Sequence, residues 1–72
     1  MANMTGNDIA QRRVALGLGQ VAMARMVGVN NATLCRIEKG TQSPRPKHAR
    51  RIEVILSAYE RGQREALKLL AS

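Results

Sequence analysis

Residues 20–37, QVAMARMVGVNNATLCRI, decide how this chain folds. Met23 and Val27 stand one helical turn apart and Leu34 and Ile37 stand three residues apart. Each pair makes an apolar stripe on one face of a helix, so two short helices can share one core. Ala24 is small where the helices would touch. Gly28 falls between the stripes, where the first helix must stop and turn and where a left-handed backbone costs glycine little. Val29 plugs the turn, and Asn30 is placed to cap the second helix.

Outward from this stretch the chain reads as helix, because strand-like alternation is absent and Ala, Leu, Arg, Glu and Gln fill the segment interiors. A first helix is predicted from residue 7 or 8 to 16, with Thr5 or Asn7 as cap and Gly17 as stop. A second begins near Gln20, and a third runs from near Asn31 to Lys39 and stops at Gly40. TQSPRP then makes a turn-rich loop, since each proline forbids continuation of a preceding helix. A fourth helix is expected from residue 46 or 47 to 61. After Gly62 two readings stand: one continuous helix keeping the stripe Ile52, Leu56, Tyr59, Gln63, Ala66 and Leu70, or a break at Gly62 and a fifth helix over 63–71, which is favoured. The fold class is all-α: a compact bundle of four to five short helices in one domain over residues 1–72.

Composition narrows the partner. Twelve Lys plus Arg oppose five Asp plus Glu, a formal charge of +7, which favours a polyanion. A chain of 72 residues is too small to enclose a large substrate cavity. The single Cys35 cannot form an internal disulfide, and no leader or membrane-length apolar run is visible, so a cytoplasmic protein without membrane association is expected. His48 has no second ligand at metal spacing, Cys35 has no catalytic partner, and of Met1, Met4, Met23 and Met26 only Met23 is expected in the core. With no paired carboxylates, nucleophile elbow or phosphate-binding glycine loop, neither an enzyme nor a cofactor, metal or small-molecule substrate is expected.

The surface of the third helix carries the functional reading. With Leu34 and Ile37 inward, Asn31, Ala32 and Arg36 project from the opposite side, Asn30 stands at the helix start, and Thr33 and Cys35 lie on the flanks. Arginine can donate twice to guanine, an Asn amide can pair with adenine, and the methyl of Ala32 or Thr33 can meet that of thymine. Asn30, Asn31, Ala32, Thr33 and Arg36 are therefore the candidate base-contacting residues. Gln20 sits at a helix start, where free N–H groups and the helix dipole favour an anion. Lys39, Arg45 and Lys47 flank the loop after the third helix and, with Gln20, are the candidate phosphate contacts. Arg50 and Arg51 extend the basic run.

The series Arg13, Gly17, Gln20, Ala24, Gly28, Leu34, Ile37, Glu38, Gly40 and Pro44 resembles the Cro/C1-type (XRE) helix-turn-helix family of phage repressors, Cro proteins and small bacterial regulators. The similarity covers about half the chain closely and the downstream helices more loosely. It implies a lambda-repressor-like bundle of five helices, a phosphate role for Gln20, and base contacts from Asn31, Ala32 and Arg36; Ala32 departs from the polar residue often found there. It also implies a structural ion pair between Arg13 and Glu38 that leaves the remaining guanidinium hydrogens for phosphate. The expected function is a Cro-like or autoregulatory repressor binding a palindromic double-stranded DNA operator. A two-fold homodimer is expected because one helix reads few base pairs, with Leu56, Tyr59, Leu67 and Leu70, together with the loop 41–44, at the interface. The alternative class is a protein-interaction module, such as a DNA-binding antitoxin whose C-terminal helices hold a partner protein.

Overall fold

The computed structural model describes residues 4–62, in which four helices follow one another: α1 (Gly6–Ala15), α2 (Gln20–Val27), α3 (Asn31–Lys39) and α4 (Pro46–Glu60). Each boundary has a local cause. Thr5 caps α1 through a reciprocal box in which its hydroxyl accepts from the Asp8 N–H while the Asp8 carboxylate accepts from the Thr5 N–H, each at 3.1 Å. Asn30 Oδ1 accepts from the Thr33 N–H at 2.7 Å and starts α3. The α2–α3 turn runs through Gly28 at φ 93°, with the N–H groups of Gly28 and Val29 both donating to the Ala24 carbonyl. Pro46 stands at the first position of α4, where its missing N–H costs nothing. The helix ends at Glu60, and Gly62 turns the backbone to φ 81°, so the break favoured from sequence is present. The expectation of a fifth helix over 63–71, with Leu67 and Leu70, falls outside the described residues.

The core is Ile9, Leu18, Met23, Ala24, Met26, Val27, Leu34, Ile37, Ile52, Ile55, Leu56 and Ala58. Two expectations need correction. Met26 is as buried as its neighbours, because α4 crosses the face of α2 that an isolated helix-turn-helix would leave open. Leu56, expected at a dimer surface, is fully enclosed within the single chain, for the same reason. Tyr59 is half-buried against that core, its hydroxyl 3.9 Å from Met26 Sδ.

Polar contacts fix the outer helices. Arg12 of α1 makes paired hydrogen bonds to Glu53 and to Glu60 on α4, with closest approaches of 2.9 and 2.7 Å. Arg12 holds both carboxyls below the usual carboxylate range, and the Ser57 hydroxyl adds to the effect at Glu53. At the C-terminal end of α2, Arg51 Nε donates to the Met26 carbonyl at 2.6 Å, taking up one of the acceptors that a helix end leaves open.

Gly6 is a position whose importance sequence did not reveal. A Cβ built on it would fall against the backbone carbonyl oxygens of Ile37 and Glu38, so α1 meets the end of α3 only because residue 6 has no side chain. Helix propensity alone makes Gly6→Ala stabilising by about 1 kcal/mol. Overpacking against backbone that cannot rotate away costs about 1–3 kcal/mol and decides the sign. Thermal unfolding of Gly6→Ala should show a midpoint lowered by several degrees, whereas a raised midpoint would mean that the two helices do not approach this closely.

Candidate nucleic-acid interface

The interface is built on the orientation of α3. Leu34 and Ile37 enter the core, and this turns Asn31, Ala32 and Arg36 fully outward, with Thr33 and Cys35 half-buried on the flanks. Glu38 holds that orientation. Its carboxylate accepts from Arg13 Nε at 2.7 Å, from Arg13 Nη2 at 3.1 Å and from Gln20 Nε2 at 3.0 Å, so α1, α2 and α3 meet on one side chain. The third Arg13 nitrogen, Nη1, donates to the Leu18 carbonyl at 3.0 Å. The Arg13 and Glu38 side chains are 14% and 6% exposed, and bidentate pairing in so enclosed a place gives directional strength that a surface pair lacks.

Two side chains expected to face phosphate are also engaged inside the domain. Each of the three Arg13 nitrogens donates once inside the domain, so the guanidinium braces the fold, and one hydrogen on each of Nη1 and Nη2 remains beyond these contacts. The Gln20 amide, expected to face an anion, donates to Glu38. The second Nε2 hydrogen and the backbone of that helix start remain for an anion. Gly19 supplies no side-chain cap to α2, and Arg45 supplies none to α4, in contrast to the capped starts of α1 and α3. Both uncapped first turns present free N–H groups and the positive end of the helix dipole. This feature was legible in part: glycine at position 19 and arginine at 45 are residues without a capping oxygen.

Lys39, at the end of α3, and Arg45 and Lys47, around the start of α4, are exposed. Arg50 is exposed as well, while Arg51 is committed through Nε to the end of α2. Between the start of α3 and the following loop lies an open cleft of about 350 Å³, lined by Asn30, Thr33, Gln42, Arg45 and His48 among others. Asn30 lies on its edge, but its side-chain oxygen is engaged in capping, which sets it apart from the freely projecting Asn31. Arg36 is not a loose side chain: Nε donates to Gln42 Oε1 at 2.9 Å and Nη2 to Thr33 Oγ1 at 3.3 Å. Gln42 carried no signal in the sequence, since a loop glutamine has neither periodicity nor a defined turn role. Among the described residues no cluster of His, Cys, Asp and Glu could hold a metal ion, and no helix is long and apolar enough to cross a membrane.

Two crossed helices with a tight glycine turn, the second presenting a polar face flanked by uncapped helix starts and exposed cations, define a DNA-binding helix-turn-helix domain. The helix-turn-helix family model matches residues 9–56, which take in all four helices in whole or in part, and the chain belongs to that family, in its Cro/C1 (XRE) type, whose members are DNA-binding transcription regulators. No curated protein and no solved structure matches the chain.

Proposed function

We propose that this protein is a sequence-specific repressor that binds a palindromic operator as a homodimer, with α3 in the major groove. The observation that carries the reading is the braced α3, whose outward face of Asn31, Ala32 and Arg36 is held by the Arg13–Glu38–Gln20 contacts with cations on either side. In this reading Arg36 takes guanine, Asn31 takes adenine, and Ala32 and Thr33 offer methyl groups to thymine. Lys39, Arg45, Lys47 and the free first turns of α2 and α4 take phosphates. A single α3 spans only a few base pairs, so useful discrimination calls for two copies, whose half-site centres lie about 34 Å apart. With Leu56 enclosed in the core, the dimer surface falls to Tyr59, the loop 41–44 and the C-terminal residues Leu67 and Leu70. Repression follows where such a dimer occupies DNA that polymerase must enter.

Selection of bound duplexes from a random library, followed by titration of two variants, tests this. Arg36→Ala should flatten preference at one position of each half-site, a loss of about 1–3 kcal/mol in discrimination, while Lys39→Ala should weaken every sequence alike. Equal losses on operator and random DNA for Arg36→Ala would remove its base-reading role.

A further inference from the structure

The recognition surface contains a contact that a simple row of outward side chains would lack. The guanidinium of Arg36 is held along one edge: Nε by Gln42 Oε1 at 2.9 Å and Nη2 by Thr33 Oγ1 at 3.3 Å. The loop that supplies Gln42 is itself fastened to the same residue. The carbonyl of Arg36 accepts from the Thr41 N–H at 3.0 Å and from the Thr41 hydroxyl at 3.2 Å, across the turn that Gly40 makes at φ 82°. Residues 41 and 42 thus grip Arg36 by its main chain and its side chain together.

An arginine has five N–H donors in a rigid plane. The grip takes Nε and one hydrogen of Nη2. It leaves both hydrogens of Nη1 and the second of Nη2 as donors, and guanine O6 and N7 accept such a pair. Arginine also loses more rotamer freedom on being fixed than almost any other side chain. A guanidinium already held in the free domain avoids much of that loss when it docks.

We propose that Gln42 is a positioning residue for base recognition: it contacts no base, and it sets how sharply Arg36 distinguishes guanine from the other bases. The proposal rests on the base-reading role of Arg36 given above. Thr33 shares the task through its hydroxyl, which makes it a support for Arg36 before it is a contact of its own.

The test uses the full chain and synthetic duplexes carrying the selected operator, in which each position of both half-sites is changed in turn to the other base pairs. The ratio of Kd values at each position gives a discrimination profile, taken for the parent, Arg36→Ala, Gln42→Ala, Gln42→Met, Gln42→Glu and the Arg36→Ala, Gln42→Ala double variant. Gln42→Ala and Gln42→Met lack the amide oxygen and should lower discrimination roughly 3- to 10-fold, the scale of one freed rotamer-rich side chain, at the base pair that Arg36→Ala affects and at no other. Gln42→Glu keeps an acceptor for Nε and should retain discrimination at that base pair, with weaker binding to every duplex from the added negative charge. In the Arg36→Ala background, Gln42→Ala should change nothing further at that position. Gln42 is exposed and outside the core, so the helical circular dichroism should match the parent in all variants. Flattening at a different base pair would make Gln42 a base reader in its own right and overturn the proposal; an even loss across all duplexes would make it a phosphate, loop or dimer-surface contact and do the same. If Arg36→Ala flattens a position and Gln42→Ala leaves it sharp, the positioning role alone is lost. If Arg36→Ala flattens none, the base-reading assignment falls and takes this proposal with it.

Discussion

Glu38→Ala should destabilise the domain by about 3–5 kcal/mol, because it leaves the enclosed guanidinium of Arg13 without a counter-charge. That is a large part of what a domain of this size has in reserve, about 4–11 kcal/mol at the usual stability per residue. The loss arises less from the attraction between the two charges than from the uncompensated charge left behind. Gln20 also loses its acceptor, so the same substitution loosens the start of α2. Replacing both partners by apolar side chains of similar volume, Arg13→Met with Glu38→Leu, should therefore cost clearly less than Glu38→Ala alone. Urea unfolding of the three proteins checks this. A Glu38→Ala variant within about 1 kcal/mol of the parent, the range of an exposed ion pair, would mean that the brace contributes little to holding α3.

The brace also shows what could be read before the structure. Apolar spacing at Met23, Val27, Leu34 and Ile37, with Gly28 between, locates two helices because periodicity and left-handed glycine are local properties of the chain. The glycine stops at 17, 28, 40 and 62 all have positive φ, again a local requirement. Residues whose roles depend on what lies across the domain were harder to read. Met26 was not placed in the core from its own helix and is buried by α4, and Leu56 was expected at a dimer surface and is enclosed. Arg12 and Arg13 are adjacent in sequence and similar in chemistry, yet one turns to Glu53 and Glu60 and the other to Glu38. Gly6 gave no hint, since the carbonyls it must clear belong to residues 37 and 38. For the interface, the residue types on α3 were legible. The Asn30 cap was legible because its partner is three residues away, whereas the use to which Gln20 puts its amide and the grip of Gln42 on Arg36 were settled by a partner far along the chain and by a loop without periodic signal.

The proposed dimer makes the largest effect on binding a matter of salt. Each protomer offers Lys39, Arg45 and Lys47 to phosphates, so a dimer neutralises about six and should give log K against log salt a slope of about −5. Between 50 and 200 mM salt, affinity for the operator should fall on the order of a thousandfold. A single protomer with three such contacts would give a slope near −2.7 and a fall of roughly fortyfold over the same range. The slope thus counts phosphate contacts, and through them protomers, without assuming which residues form the dimer surface. Lys47→Ala should make the slope shallower by about 2 for a dimer, since the substitution appears twice, and by about 1 for a monomer. Base discrimination should change little for this variant, because phosphate contacts position the protein without reading sequence. Titrations of parent and Lys47→Ala on operator and random duplexes at four or five salt concentrations supply all of these values. A parent slope near −3 with a change of 1 on substitution would leave the helix-turn-helix bound to DNA as a single copy and remove the two-fold operator complex.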